Sequence, residues 1–156
     1  MSSQYPDRGF RITTTRLSAV VDLTQGESLE GAFSCAGPST GTAELSDLLN
    51  HPTAFVPFFA RGRDAPILLG KHAIRVVRLD RACDAGSLDE FGEARELSLL
   101  LDDGTELRGE ITISAPIGHT RTLDSLNEAG RFLVVRTASH VLLVNRTAIV
   151  VCADVG

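Results

Sequence analysis

Ten residues from 26 to 35, GESLEGAFSC, lie over ten from 104 to 113, GTELRGEITI, with Gly26 on Gly104, Leu29 on Leu107 and Gly31 on Gly109, an offset of 78 (26 to 104). Further on, Asp47 and Asn50 fall on Asp124 and Asn127, and Phe55 falls on Phe132, at 77 (55 to 132). Near the end of each stretch PILLGKHAIRVV matches HVLLVNRTAIVVC, with Ala73 and Ile74 on Ala148 and Ile149 at 75 (74 to 149). Landmarks kept in order, with small gaps in loop-like sequence, are what a tandem duplication leaves. The chain reads as a first unit at 12–79, a linker at 80–94 rich in Asp, Glu, Gly and Ala, and a second unit at 95–155. One helical turn is expected around 87–91.

Within each unit the apolar residues follow the period of a half-buried strand. Leu107, Gly109, Ile111 and Ile113 share one parity, and Leu29, Gly31, Phe33 and Cys35 repeat it, so Cys35 should point into a core. Asp103-Gly104 and Gln25-Gly26 mark a hairpin turn just before each of these strands. FVPFF and RFLVVRT are short β-prone runs, with Pro57 demanding an edge or bulge, and AIRVVRL and AIVVCADV are β-branched closing strands.

About five short strands in about 60 residues are too few for a sandwich but enough for a small barrel. The expected fold is mostly β: two tandem, similar five-stranded β-barrels, each with a short helical turn. Gly31 and Gly109 suit the sharp bend of closure, or else the crowding of a neighbour. In LSDLLN, Ser46 or Asp47 would accept free amides at the start of a helical turn, Leu48 and Leu49 would plug the barrel, and Asn50 would end the turn in a left-handed conformation. Asp124, Leu126 and Asn127 would repeat those roles.

The hairpin LSLLLDDGTELRGEITI, an Asp and an Asn close together, and the closing LLVNRTAIVVC resemble, distantly, the Sm-like barrel family. LSDLLN is also similar to a segment of uncharacterised bacterial β domains. The Sm-like resemblance implies barrels that pair edge strands into rings and sometimes bind uridine-rich RNA. Its RNA-contacting positions would fall near Asn50 and Asn127, and near Gly70-Lys71 and Asn145-Arg146.

A formal charge of −5 supplies no general excess of cations for a phosphate backbone or an anionic membrane. The cluster Arg75, Arg78 and Arg81 reads as a solvated strand edge. Cys35, Cys83 and Cys152 are odd in number and widely spaced, which argues against a disulfide framework or a zinc site, and no metal ligand set or cofactor motif is expected. No signal core or membrane-length apolar run is visible, so a cytoplasmic location is expected. His51, His72, His119 and His140 deserve a check for catalysis, yet none recurs in both units, and no P-loop, dinucleotide fingerprint or nucleophile elbow is present. No catalytic residue is assigned.

The expected function is a non-enzymatic structural or adaptor module, working through protein contacts in a larger assembly, with a protein partner or itself as a homo-oligomer; the Sm-like resemblance implies that such an assembly is ring-like. If units pair as in Sm-like rings, a trimer of two-unit chains would supply six barrels. Candidate contact residues are Arg61, Arg63 and Asp64 on an exposed strand connection, and Ile117 and His119 in the Gly/Pro/Thr-rich stretch before the second helical turn, the lid of its unit as LSDLLN is of the first. AFVPFF and HVLLV are the apolar strands offered for strand addition. The alternative is an Sm-like RNA-binding protein using Asn50, Lys71, Asn127 and Arg146.

Overall fold

A computed structural model describes residues 14–36, 41–84, 93–113, 122–128 and 130–155. The strands are β1 (Thr14–Leu23), β2 (Ser28–Ala36), β3 (Phe55–Ala60), β4 (Ile67–Gly70), β5 (Ile74–Asp80), β6 (Glu93–Leu101), β7 (Glu106–Ile113), β8 (Phe132–Arg136), β9 (His140–Asn145) and β10 (Ile149–Asp154). Among the described residues two α-helices interrupt them, α1 (Thr42–Asn50) and α2 (Thr122–Leu126). The linker turn expected at 87–91 lies outside the described residues.

The alternation legible in the sequence becomes burial on one face. Leu17, Ala19 and Val21 of β1 meet Phe33 and Cys35 of β2 inside, and Leu97, Leu99 and Leu101 of β6 meet Ile111 and Ile113 of β7. The two hairpin turns repeat each other bond for bond. Leu23 N donates to Glu27 O at 2.8 Å and Gly26 N to Leu23 O at 2.9 Å, while Leu101 N donates to Thr105 O at 2.8 Å and Gly104 N to Leu101 O at 3.0 Å. Gly26 (φ 100°) and Gly104 (φ 88°) take the left-handed conformation that turns each chain back.

Among the described residues, ten strands join one antiparallel sheet in the order β10-β6-β7-β8-β9-β5-β1-β2-β3-β4. Two separate five-stranded barrels are therefore not what forms. One open sheet runs through both halves because β5 and β9 pair with each other, Val76 to Val144 through Asp80 to His140. Within that sheet the first half runs β5-β1-β2-β3-β4 and the second runs β10-β6-β7-β8-β9, the same order of corresponding strands.

The sheet serves two apolar cores. One gathers Leu17, Val21, Phe33, Leu45, Leu49, Phe58 and Leu79, the other Leu97, Leu99, Ile111 and Val135. At the junction the two faces of each strand feed different cores: Val77, Val141 and Leu143 enter the first, Val76, Leu142 and Val144 the second. These strands need partners on both faces, hence their near-continuous apolar runs.

Gly31 and Gly109 stand where neighbouring chain comes very close. A Cβ on Gly31 would run into the Phe59 carbonyl oxygen and lie 2.8 Å from the Phe58 ring; one on Gly109 would lie 2.6 Å from Val135 Cγ1 and 2.8 Å from Arg136 O. Neither has a positive φ, so crowding, not unusual backbone freedom, is what selects glycine here. Pro57 pairs with Leu68 of β4, while β2 reaches β3 at Ala60 and Phe59, so that among the described residues no strand flanks the proline on its other side.

The first lid differs from its sequence reading. α1 starts at Thr42, with Gly41 as an N-cap lacking a side-chain bond, so Ser46 and Asp47 sit inside the helix and not at its start. Leu45 and Leu49, one turn apart, make the plug. No non-glycine residue has a positive φ among the described residues, so neither Asn50 nor Asn127 is left-handed. α2 is shorter, with Ser125 buried and Asp124 exposed in its first turn. Thr122 Oγ1 ties it to Asp154 of β10 at 2.6 Å.

Candidate protein-contact edges

The last strand at each end of an open sheet carries unpaired amides and carbonyls along one side. Among the described residues those strands are β4 and β10. Among the described residues, the large exposed hydrophobic side chains are Leu68 on β4, Phe55 beside it on β3, Val150 and Val151 on β10, and Leu123 on α2. Four of these five therefore lie on or next to the two open edges. A soluble surface usually scatters such residues, and clustering marks a contact site.

HVLLV is not an open edge: it is β9, enclosed between β8 and β5. AFVPFF supplies β3, one strand in from the edge, and of its phenylalanines leaves Phe55 exposed while Phe58 is buried. Arg61, Arg63 and Asp64 are exposed in the β3–β4 turn, made possible by Gly62 at φ 84°. Arg61 pairs with Glu30 at 2.7 Å in the open, where such a bond adds little. Ile117 and His119 lie outside the described residues.

Three of the four RNA-contact candidates come together at the seam between the halves, but their polar atoms serve the fold. Lys71 is fully buried, and its Nζ donates to Leu48 O at 2.9 Å, His51 O at 2.8 Å and Thr53 Oγ1 at 3.0 Å, neutralising the carbonyl end of α1. Burial, then the charge of Arg131, pulls its pKa below the ordinary value. Arg146 does the matching task for α2, donating to Ser125 O at 3.3 Å and to Gly130 O at 2.7 Å. Burial lowers its pKa as well, with Glu128 opposing. Asn50 accepts from Phe132 N at 2.7 Å and donates to Phe132 O at 3.3 Å, stapling the first lid to β8. Asn127 is exposed beyond α2.

The junction between the halves also uses two residues from which the sequence led to other expectations, Arg75 as a solvated cation and Asn145 beside an RNA-contacting position. Arg75, far from being a solvated edge, is buried and donates to Asp102 Oδ1 at 2.8 Å, Leu23 O at 2.9 Å and Thr24 O at 3.1 Å. Asn145, also buried, donates from Nδ2 to Ile74 O at 2.9 Å and accepts from Thr147 N and Oγ1 at 3.1 and 2.8 Å. Apolar runs without alternation at Ile67–Gly70 and Ile149–Asp154 were the available sign that both edges carry apolar side chains on each face.

A groove of about 630 Å³ opens beside β2 and β3, lined by Arg16, Arg61 and Arg78 among others. Each of those cations is engaged: Arg16 lies 3.8 Å above the Phe59 ring, Arg61 pairs with Glu30, and Arg78 pairs with Asp22 at 3.0 Å. His51, His72 and His140 are exposed, and His140 Nδ1 lies 2.8 Å from Ser139 Oγ. Among the described residues no group of three His, Cys, Asp or Glu side chains is placed to hold a metal ion, and no helix is long and apolar enough to cross a membrane. Burial, then nearby Glu44 and Asp154 respectively, pushes the Cys35 and Cys152 thiols upward, away from the reactive thiolate. Compared with known proteins, the chain matches no family model, no curated protein and no solved structure.

Proposed function

We propose that this chain is a non-enzymatic structural or adaptor module, built from two copies of one β unit, that joins a larger assembly by strand addition at β4 and β10. The observation that carries this reading is the concentration of exposed apolar side chains, Leu68, Val150 and Val151, on the two strands that also offer unpaired backbone. Strand addition uses both features, the backbone for affinity and the side chains for specificity. The repeated strand order, the paired hairpin turns and the matching roles of Lys71 and Arg146 support the two-copy reading. The likeness to Sm-like barrels is retained only as an analogy of repeated units joined edge to edge.

The test is native-state size fractionation of extract from cells making the tagged full chain, beside a variant carrying Leu68→Asp and Val151→Asp. The wild type should run in a complex larger than one chain and the folded variant should not. A wild type that runs as a free single chain, or a variant that keeps the complex, would overturn the reading.

A further inference from the structure

We infer that the partner at these edges is a second copy of this chain, docked head to tail, with β4 of one copy antiparallel to β10 of the next and Leu68 opposite Cys152. This rests on the edge-contact reading above and names its partner. The chain already contains one such contact. At the β5–β9 junction, Val144 pairs with Val76, Leu143 with Val77 and Leu142 with Arg78. By the offset of 75 (74 to 149), β9 corresponds to β4 and β5 to β10. Carried across, the internal register places Leu69 opposite Val151, Leu68 opposite Cys152 and Ile67 opposite Ala153.

Exposure contrasts at two of the mapped positions. Leu143 is 0% exposed and Val76 is 5% exposed at the internal junction, whereas their counterparts at the free edges, Leu68 and Val151, are 68% and 52% exposed. Parity agrees too. Leu69 and Ile67 pack into the core of their own half, as Val144 and Leu142 do in theirs. Leu68 is left facing outward, where Leu143 faces across the junction beside Val77. A neighbouring β10 would give Leu68 the position beside Cys152, which packs against the second core as Val77 packs in the first.

The polar fastenings of the internal junction have no equivalent at the free edges. Val150 stands in the place of Arg75, and Gly70 in the place of Asn145. The contact between chains is thus apolar side chains plus backbone ladder, and it joins two different edges. Such a heterologous contact is not used up in a simple dimer: it continues until a ring closes or a filament grows.

The experiment uses the purified full chain carrying Leu68→Cys, oxidised with glutathione disulfide, and non-reducing electrophoresis. Leu68→Cys should form intermolecular disulfides through native Cys152, and adding Cys152→Ser should abolish them. Ile67→Cys, on the opposite face, should cross-link at least about tenfold less, in keeping with the two-residue period of a strand. Circular dichroism checks that each variant folds, and sedimentation of the unmodified wild type at micromolar concentration should show species larger than one chain. Equal cross-linking with and without Cys152, or preferential cross-linking through Ile67→Cys, overturns the register. A wild type that sediments as a single chain overturns self-docking. If the wild type then still enters a complex in extract that the edge variant does not, strand addition stands with a different partner, and if it enters none, both readings fall.

Discussion

Lys71→Met removes an ammonium while keeping most of the unbranched stem, so it isolates the bonds that close α1. Three acceptors lose a charged donor: the Leu48 and His51 carbonyls and the Thr53 hydroxyl. Thr53 is exposed and its hydroxyl can turn to water. The two carbonyls carry the loss, at about 1–3 kcal/mol for each buried acceptor left unpaired. The same change spares the folded state the desolvation of a charge, which trims the upper end of the resulting range of about 2–6 kcal/mol. The expected net loss is about 2–4 kcal/mol. For a chain of this size each kcal/mol moves Tm by about 2–4 °C, so the midpoint should fall by roughly 5–15 °C.

Urea unfolding at pH 7 measures this directly, with an unchanged slope showing that compactness is retained. The same variant carries a pH signature. The folded pKa of Lys71 lies below the ordinary 10.5, from burial first and Arg131 second, so the folded protein releases this proton before the unfolded one does. Its contribution to stability should therefore rise as pH climbs through the window just under 10.5, and Lys71→Met should lose that rise. A stability loss under about 0.5 kcal/mol would refute the reasoning, since it would mean that water replaces the ammonium at both carbonyls without cost.

Gly31→Ala should cost about 1–3 kcal/mol in urea unfolding, because its new methyl meets a main-chain carbonyl and the Phe58 ring, neither of which can withdraw freely. Gly109→Ala should cost a similar amount against Val135 and Arg136, and near-neutral values at both sites would show that the strands separate easily. Arg146→Met should destabilise less than Lys71→Met, because Arg146 is only half-buried; a larger effect would refute that ranking. Asp103 is held below its ordinary pKa by side-chain and backbone hydrogen bonds from Thr105, with help from Arg75. Its stabilising contribution is present above the unfolded carboxylate pKa and lost as pH falls through the folded one, so Asp103→Asn should flatten the acid limb of a stability-versus-pH curve.

The local pattern of the fold was legible wherever one face of an element was apolar. Leu107, Ile111 and Ile113 alternate, and their strand is half-buried; Gly26 and Gly104 sit where the hairpins turn. What the alternation could not express was closure against continuation. Val76 and Val77, or Leu142 and Leu143, state that a strand has two apolar faces, but not whether the second face meets its own unit or the next. The start of α1 at Thr42 was hidden for a different reason: Gly41 provides no side-chain cap to announce it. At the edges, Leu68 and Val151 sit in apolar runs that carry no mark of which side faces out, and it is the strand order that leaves them outside. Lys71 and Arg146 looked like surface cations because no composition rule signals a helix end whose carbonyls point into the protein.

The sharing of β5 and β9 between two interiors has a consequence for how the molecule comes apart. Val76 leaves the second core if the first half melts, and Val141 and Leu143 leave the first core if the second half melts. Neither half can loosen without opening a void in the other, so cooperativity spans the chain and heating should give a single calorimetric peak. Severing the chain between β5 and β6 would leave two fragments, each with a greasy strand flank that the other fits, and these should reassociate in solution.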